Sequence, residues 1–289
     1  MRTTLKGILI FSLSSFFLAA NASDINKKLT FSEPKELSFF SSIENSFFIP
    51  EKIKGKIPAV ILMHTCGGLH SSGAKSNMRE WAKKFLAANY AVLVVDHLKP
   101  RGVGSNCPGK NAAMPIRIGS TIAAGDAYDA ATHLAKYPQI DSSRIFTLGW
   151  SMGAMSSAQV ASASSKYLMQ PGSIRPRAAA GMYGVCGVGY AKYLKDDIDL
   201  PILWLMGEKD LEAPVKECLP TIKTLEEKGI ITHHTYPEAT HSWDMSYMDG
   251  KSKVVGNGRK VTYRYNANVT EDSFKRTLAF FESFPSEMK

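Results

Sequence analysis

The sequence predicts an α/β fold with a mainly parallel central sheet and helices on both of its faces. Three observations point there. Short apolar runs without polar alternation recur along the chain, which is how strands buried on both faces read. Segments with helical spacing separate those runs from one another. No internal repeat or low-complexity linker breaks the alternation. Hydrophobic residues make up 44% and charged residues 21% of the 289-residue chain, so there is apolar mass for one sizeable core and no case for general disorder.

The chain opens with "MRTTLKGILIFSLSSFFLAANAS", in which Arg2 and Lys6 precede an uncharged stretch from Gly7 to Ala20. A small-residue site, "ANA", follows. This pattern reads as a secretory signal peptide over residues 1–22, cleaved after Ala22; the uncharged stretch is short for a membrane span, and an uncleaved N-terminal anchor is the rival reading. A single domain over residues 23–289 is expected to follow, with no stable membrane insertion once the signal is removed. Losing Arg2 and Lys6 takes the formal charge from +9 to +7. The remaining basic charge is diffuse, with no Lys/Arg run interleaved with aromatics, which argues against a nucleic-acid partner.

Each element has its own signal. "LSFFSS" and "NSFFIP" read as edge strands, and "IPAVILMH" (57–64) as a buried strand that ends at a glycine-rich turn. In "NMREWAKKFLAANY", Asn77 and Glu80 have capping-box spacing while Trp81, Phe85 and Leu86 fall on one helical face. "AVLVVD" (91–96) is the second buried strand. "RIGSTIAAGDAYDAATHLAKYP" is a helix ending before Pro138, and "RIFTLG" (144–149) is the third strand. A small-residue helix is expected from about Met152, then strands in "RAAAGMYG" and "LPILWLMG" (200–207). The helix "VKECLPTIKTLEEKG", the strand "ITHHTYP" and the amphipathic helix "EDSFKRTLAFFESF" complete the series. Residues 244–270 form the most polar interruption and read as a long loop or surface hairpin. Asn268–Thr270 fits an N-glycosylation acceptor, a pattern common to many polar loops.

The chemistry gathers around "GWSMG" (149–153). A GxSxG pentapeptide is informative only between a strand and a helix, and here "RIFTLG" precedes it and the small-residue helix follows. Its glycines allow the sharp bend that lifts the serine hydroxyl to the carboxyl edge of a sheet, with a helix N-terminus behind it. A hydroxyl is a poor nucleophile at neutral pH and needs a base, itself oriented by an acid. Asp210, after "LPILWLMG", and His241, after "ITHHTYP", stand past strand ends in the chain order serine, acid, histidine. Glu208 and Glu212 are rival acids if the turn shifts register. His233 and His234 lie within a strand, His133 within a helix, and His97 before the serine, so these read as structural.

An oxyanion hole needs two backbone N–H donors, each worth about 3 kcal/mol in such sites. Met152, next to Ser151, is expected to supply one. Cys66, in the "HTCGG" loop after the first buried strand, is expected to supply the other, with Thr65 and Gly67 one register away. His64 opens that loop and is expected to shape it or line the substrate site. Arg101 in "KPRG" is a candidate for attracting a substrate carboxylate, or else forms a surface salt bridge. No metal or organic cofactor is required. Four cysteines, Cys66, Cys107, Cys186 and Cys218, lack CxxC spacing, and in an exported chain they favour disulfides over metal ligation, with three pairings open.

Together "HTCGG", "DHLKPRGVGSNC", "GDAYDA", "GWSMG", "LWLMGEKDLEAPVKEC", "THSWD" and "YRYNANVTEDSFKRTLAFF" make the chain resemble the dienelactone hydrolase family of α/β-hydrolases over nearly all of residues 23–289. The resemblance implies a small esterase-like hydrolase with a compact sheet and little cap. It also implies the pairings Cys66 with Cys107 and Cys186 with Cys218, near the catalytic edge. The enzyme that names the family uses a cysteine nucleophile where this chain has Ser151, which favours a general ester or lactone as the small-molecule substrate. The function expected is an exported, periplasmic or secreted serine hydrolase of carboxylic esters or lactones. Rival readings are a peptidase, amidase or acyltransferase on the same residues, or a catalytically silent binding protein; oligomeric state is left open.

Overall fold

The computed structural model describes residues 47–69, 72–108, 112–188, 191–255 and 258–287. The signal-peptide reading of residues 1–22 and the edge strand read in "LSFFSS" lie outside these residues. The central sheet has seven strands: β1 (Phe47–Phe48), β2 (Ile57–Met63), β3 (Ala91–Val95), β4 (Ile140–Trp150), β5 (Ala178–Met182), β8 (Ile202–Gly207) and β9 (Ile231–Tyr236). Their order is β1-β3-β2-β4-β5-β8-β9. Only β1 runs antiparallel to its neighbour, and every other pairing is parallel. Two small hairpins stand apart from the sheet: β6 (Gly187–Val188) with β7 (Ala191–Lys192), and β10 (Ser252–Val254) with β11 (Lys260–Thr262).

Helices α1 (Ser72–Ala87) and α5 (Ala267–Glu282) cover one face of the sheet; α2 (Ile116–Leu134), α3 (Met152–Ala161) and α4 (Val215–Glu227) cover the other. The period of two along each strand divides its side chains between these layers. Val60 and Leu62 of β2 join Trp81 and Phe85 of α1 and Phe274 and Phe281 of α5 in one cluster. Ala59, Ile61 and Met63 face Ala124, Ala127 and Tyr128 of α2. β2, β3, β5 and β8 are buried along their whole length, which is why they read as unbroken apolar runs. No helix among the described residues is long and apolar enough to cross a membrane.

Three boundaries differ from the sequence expectation. Helix α1 begins at Ser72, so Asn77 and Glu80 form no capping box. Asn77 lies buried within the helix and Glu80 is exposed, beside Lys83. The strand read at 144–149 runs from Ile140 to Trp150, and it pairs with β2 across a register shift at Pro58. Proline has no N–H to give a ladder, and a bulge is where a strand tolerates one. Helix α5 starts at Ala267, four residues before the polar run suggested, because the Asn266 side chain caps it by accepting from the Val269 N–H at 3.1 Å. The acceptor pattern at Asn268–Thr270 therefore lies in a helical first turn.

Candidate active site

β4 delivers Ser151 to the carboxyl edge of the sheet at the point where α3 begins. Its backbone has φ 53° and ψ −111°, outside the regions a serine normally occupies, a strain of about 1–3 kcal/mol that the surroundings must hold. The flanking glycines make the bend possible. A Cβ on Gly149 would meet the Gly153 carbonyl oxygen at 2.0 Å, and one on Gly153 would meet the Met63 carbonyl oxygen at 2.1 Å. The Ser151 N–H is held by the Met182 carbonyl of β5 at 3.0 Å. The start of α3 is thereby wedged between the ends of β2 and β5.

Three side chains from three loops meet there. Ser151 Oγ lies 3.1 Å from His241 Nε2, and His241 Nδ1 lies 2.7 Å from Asp210 Oδ2. An ionised carboxylate only accepts, so Nδ1 carries the hydrogen and Nε2 presents its lone pair to the serine hydroxyl. The other Asp210 oxygen accepts the backbone N–H groups of Glu212 (2.8 Å) and Ala213 (2.9 Å), which fixes the carboxylate in its turn. All three residues are buried, Asp210 at 1%, His241 at 7% and Ser151 at 9% exposure. Burial disfavours the imidazolium, but the charges of Asp210 and Glu212 and the Asp210 hydrogen bond outweigh it and raise the His241 pKa above its ordinary value. Glu208 is not part of this arrangement, and Glu212 contributes charge beside it.

The two expected oxyanion donors, Met152 and Cys66, belong to one packed cluster. Met152 is the first residue of α3, where helical geometry leaves its N–H without an intrahelical acceptor. The Cys66 N–H has no hydrogen-bond partner among the described residues, while its carbonyl accepts from the Asn106 N–H at 2.7 Å. Cys66 and Met152 pack in one cluster with Leu98, Val103, Met155 and Tyr193. Disulfides join Cys66 to Cys107 and Cys186 to Cys218. The first ties the loop after β2 to the loop that follows β3, and the second ties the loop after β5 to α4, which follows Asp210.

His64 and Arg101, each given two readings from the sequence, are both engaged inside the fold. His64 is fully buried: its ring stacks on His97 at 3.8 Å, Nδ1 bonds the Thr65 carbonyl at 2.6 Å, and Nε2 faces Asp96 at 3.7 Å. It shapes the "HTCGG" loop from inside and offers nothing to a ligand. Burial and the neighbouring His64 charge push the His97 pKa down, so that ring stays neutral. Arg101 bonds the carboxylate of Asp126 through both terminal nitrogens, at 3.1 and 3.4 Å, and the His97 carbonyl at 3.0 Å. Asp126 is buried, and burial raises its pKa against the pull of Arg101. A guanidinium committed to a buried carboxylate is a structural group, and the salt-bridge reading is the one that the geometry matches.

Sequence reasoning passed over a second buried carboxylate. Asp244, three residues after His241, accepts from the Tyr183 hydroxyl at 2.7 Å and from Trp81 Nε1 at 2.8 Å. The Tyr183 ring lies 4.7 Å from the His241 ring and 4.8 Å from that of Trp243. This network packs the histidine loop against β5 and α1. The "THSWD" segment held the clue, a carboxylate directly after a tryptophan, but its partners are distant in sequence.

A parallel sheet with helices on both faces and a Ser–His–Asp cluster at its carboxyl edge defines an α/β-hydrolase fold. The chain belongs to the dienelactone hydrolase family, whose sequence profile it matches over residues 43–284. Solved structures agree on the fold. A candidate dienelactone hydrolase from Klebsiella pneumoniae is 19% identical and superposes with a TM-score of 0.60, covering 82% of this chain and 92% of its own. A thermophilic esterase from Thermogutta terrifontis, solved with propionate, is 14% identical with a TM-score of 0.61, covering 91% and 98%. A dienelactone hydrolase-like promiscuous phosphotriesterase from metagenomic libraries is 16% identical with a TM-score of 0.57, covering 82% and 91%. No curated protein matches the chain in sequence. The family is one of hydrolases, and esterases are among its structural neighbours.

Proposed function

We propose that the protein is an exported serine hydrolase that cleaves small carboxylic esters or lactones through an acyl-enzyme. The observation that carries this reading is the unbroken hydrogen-bonded chain from Ser151 Oγ through His241 to Asp210, at 3.1 and 2.7 Å, on a strained strand-to-helix turn. His241 Nε2 takes the hydroxyl proton as Oγ attacks the carbonyl carbon, and Asp210 stabilises the imidazolium that forms. The carbonyl oxygen, now negative, is held by the N–H groups of Met152 and Cys66, each donor lowering the barrier by about 3 kcal/mol. His241 then returns the proton to the departing alkoxide. Water, deprotonated by the same nitrogen, releases the acid and restores Ser151.

The two disulfides support the export part of the reading, since such bonds persist in oxidising compartments. Short-chain nitrophenyl esters and the matching anilides, assayed with the parent protein and with Ser151→Ala, test the reaction. Ester turnover is expected to fall by roughly 10,000-fold or more in the variant, by analogy with other serine hydrolases. Turnover of anilides alone would turn the reading to a peptidase or amidase.

A further inference from the structure

Beside the Ser151–His241–Asp210 cluster, the acid loop carries a second carboxylate that bridges to the β10–β11 hairpin. Glu212 is only 15% exposed at its side chain, and both of its oxygens are engaged. Oε1 accepts from the Tyr263 hydroxyl at 2.6 Å and Oε2 pairs with Lys253 Nζ at 2.5 Å. Its backbone N–H, in turn, is one of the two that hold Asp210 Oδ1. The same residue thus grips the hairpin with its side chain and the orienting acid with its main chain.

At its base the hairpin is held to the body, where the Arg264 N–H bonds Thr240 Oγ1 at 2.9 Å and the Tyr265 N–H bonds Asp249 Oδ1 at 3.0 Å. All three residues of β10 are exposed, and Val261 and Tyr263 are the buried positions at its inner side. The backbone bonds of its base, Gly250 N–H to the Tyr263 carbonyl and Asn266 N–H to the Trp243 carbonyl, lie at the point where the hairpin joins the body. Glu212 is the contact that draws β10 and Tyr263 toward the acid loop, and it leaves the Tyr263 ring 6.4 Å from the His241 ring.

We propose that Glu212 is a positioning residue for the reaction at Ser151, pinning the β10–β11 hairpin beside His241 through Lys253 and Tyr263 and adding a second negative charge to that of Asp210 on the imidazole. The proposal rests on the hydrolase reading for the word reaction, while the tether and the charge are properties of the fold. The groups facing His241 are Ser151 at the head of α3, Asp210 and Glu212 on the acid loop, Tyr183 after β5, and Tyr263 and Lys253 from the hairpin. On the histidine's own loop, Asp244 is engaged by Tyr183 and Trp81. Among these, Glu212 favours the imidazolium and Lys253 opposes it, so removing one or the other acts in opposite directions. A purely structural contact has no such signature.

The test is a titration of the His241 ring by NMR in the intact protein, its resonance identified with a His241→Gln variant, alongside the pH dependence of kcat/KM for a nitrophenyl ester. Glu212→Gln keeps an acceptor for Tyr263 and removes the charge; His241 should then titrate at lower pH, and the acid limb of kcat/KM should move down with it. Lys253→Met, at an exposed side chain, should move both upward. Tyr263→Phe keeps both charges and should stay nearest the parent titration. Shifts of the same sign in Glu212→Gln and Lys253→Met, or no shift in either, would overturn the proposal even if the enzyme is active. Opposite shifts without any Ser151-dependent turnover would uphold the opposed charges of Glu212 and Lys253 on His241 and sink the hydrolase reading instead.

Discussion

Replacing Gly153 by alanine probes the turn on which the proposed chemistry depends. The added Cβ would sit 2.1 Å from the Met63 carbonyl oxygen, 2.7 Å from its carbon and 2.8 Å from the His64 carbonyl oxygen. All three are backbone atoms at the end of β2, and none can swing aside as a side chain would. Relief to even the shortest tolerated contact requires α3 to withdraw from β2 by about 1 Å, since close-packed interiors offer no void to absorb the methyl group. Ser151 and Met152 ride on that helix start. The 3.1 Å bond from Oγ to His241 would then stretch beyond hydrogen-bonding range. Misplacement on this scale costs about 100-fold in rate, and overpacking costs about 1–3 kcal/mol of stability. Steady-state hydrolysis of a nitrophenyl ester and urea unfolding read the two effects separately. Gly125→Ala is the control: it lies in α2 with open space around the new Cβ, and should stabilise by up to about 1 kcal/mol. A Gly153→Ala protein with parental turnover and a parental midpoint would refute the close-packed turn.

Removing the Cys66–Cys107 bond with a double alanine variant should cost about 4 kcal/mol by the chain-entropy relation for its separation of 41 residues, and should lower kcat more than it raises KM; urea unfolding and ester kinetics measure both. Arg101→Ala leaves buried Asp126 without its cation, at a cost of about 3–5 kcal/mol. Turnover per folded molecule should survive; weaker substrate binding at unchanged stability would restore the substrate-contact reading of Arg101. The raised His241 pKa means that kcat/KM should fall, as pH drops, through a value above 6.5. By linkage, the stability that His241 contributes is present in full below its ordinary pKa and fades as pH rises through the folded value. A pH–rate profile whose acid limb lies below 6.5 would contradict the balance of charges around the ring.

The strand core was the most legible feature, because β2, β3, β5 and β8 are buried on both faces and each stands out as an apolar run before any packing is known. Helix beginnings were less so. Asn77 has the local look of a cap, yet it lies buried inside α1, which starts at Ser72. Ser151, Asp210 and His241 could be read together because each follows a strand end in a fixed order, and the structure places their side chains 3.1 and 2.7 Å apart in the order Ser151–His241–Asp210. His64 and Arg101 each left two readings open, a structural one and a substrate contact, and the structure matches the structural one. Their partners, His97 and Asp126, are brought in by the β2–β3 pairing and by α2, and short-range pattern carries no trace of either contact. The Asp244 network and the Glu212 bridge are of the same kind, joining residues 61 and 51 positions apart through Tyr183 and Tyr263.

Covalent labelling tests the central claim most directly. A fluorophosphonate probe added to the parent protein should give a single adduct by intact mass, located by peptide mapping on Ser151 and lost in Ser151→Ala. An adduct on another residue, or a parent protein that takes no label while Ser151, His241 and Asp210 remain folded and unmodified, would contradict it.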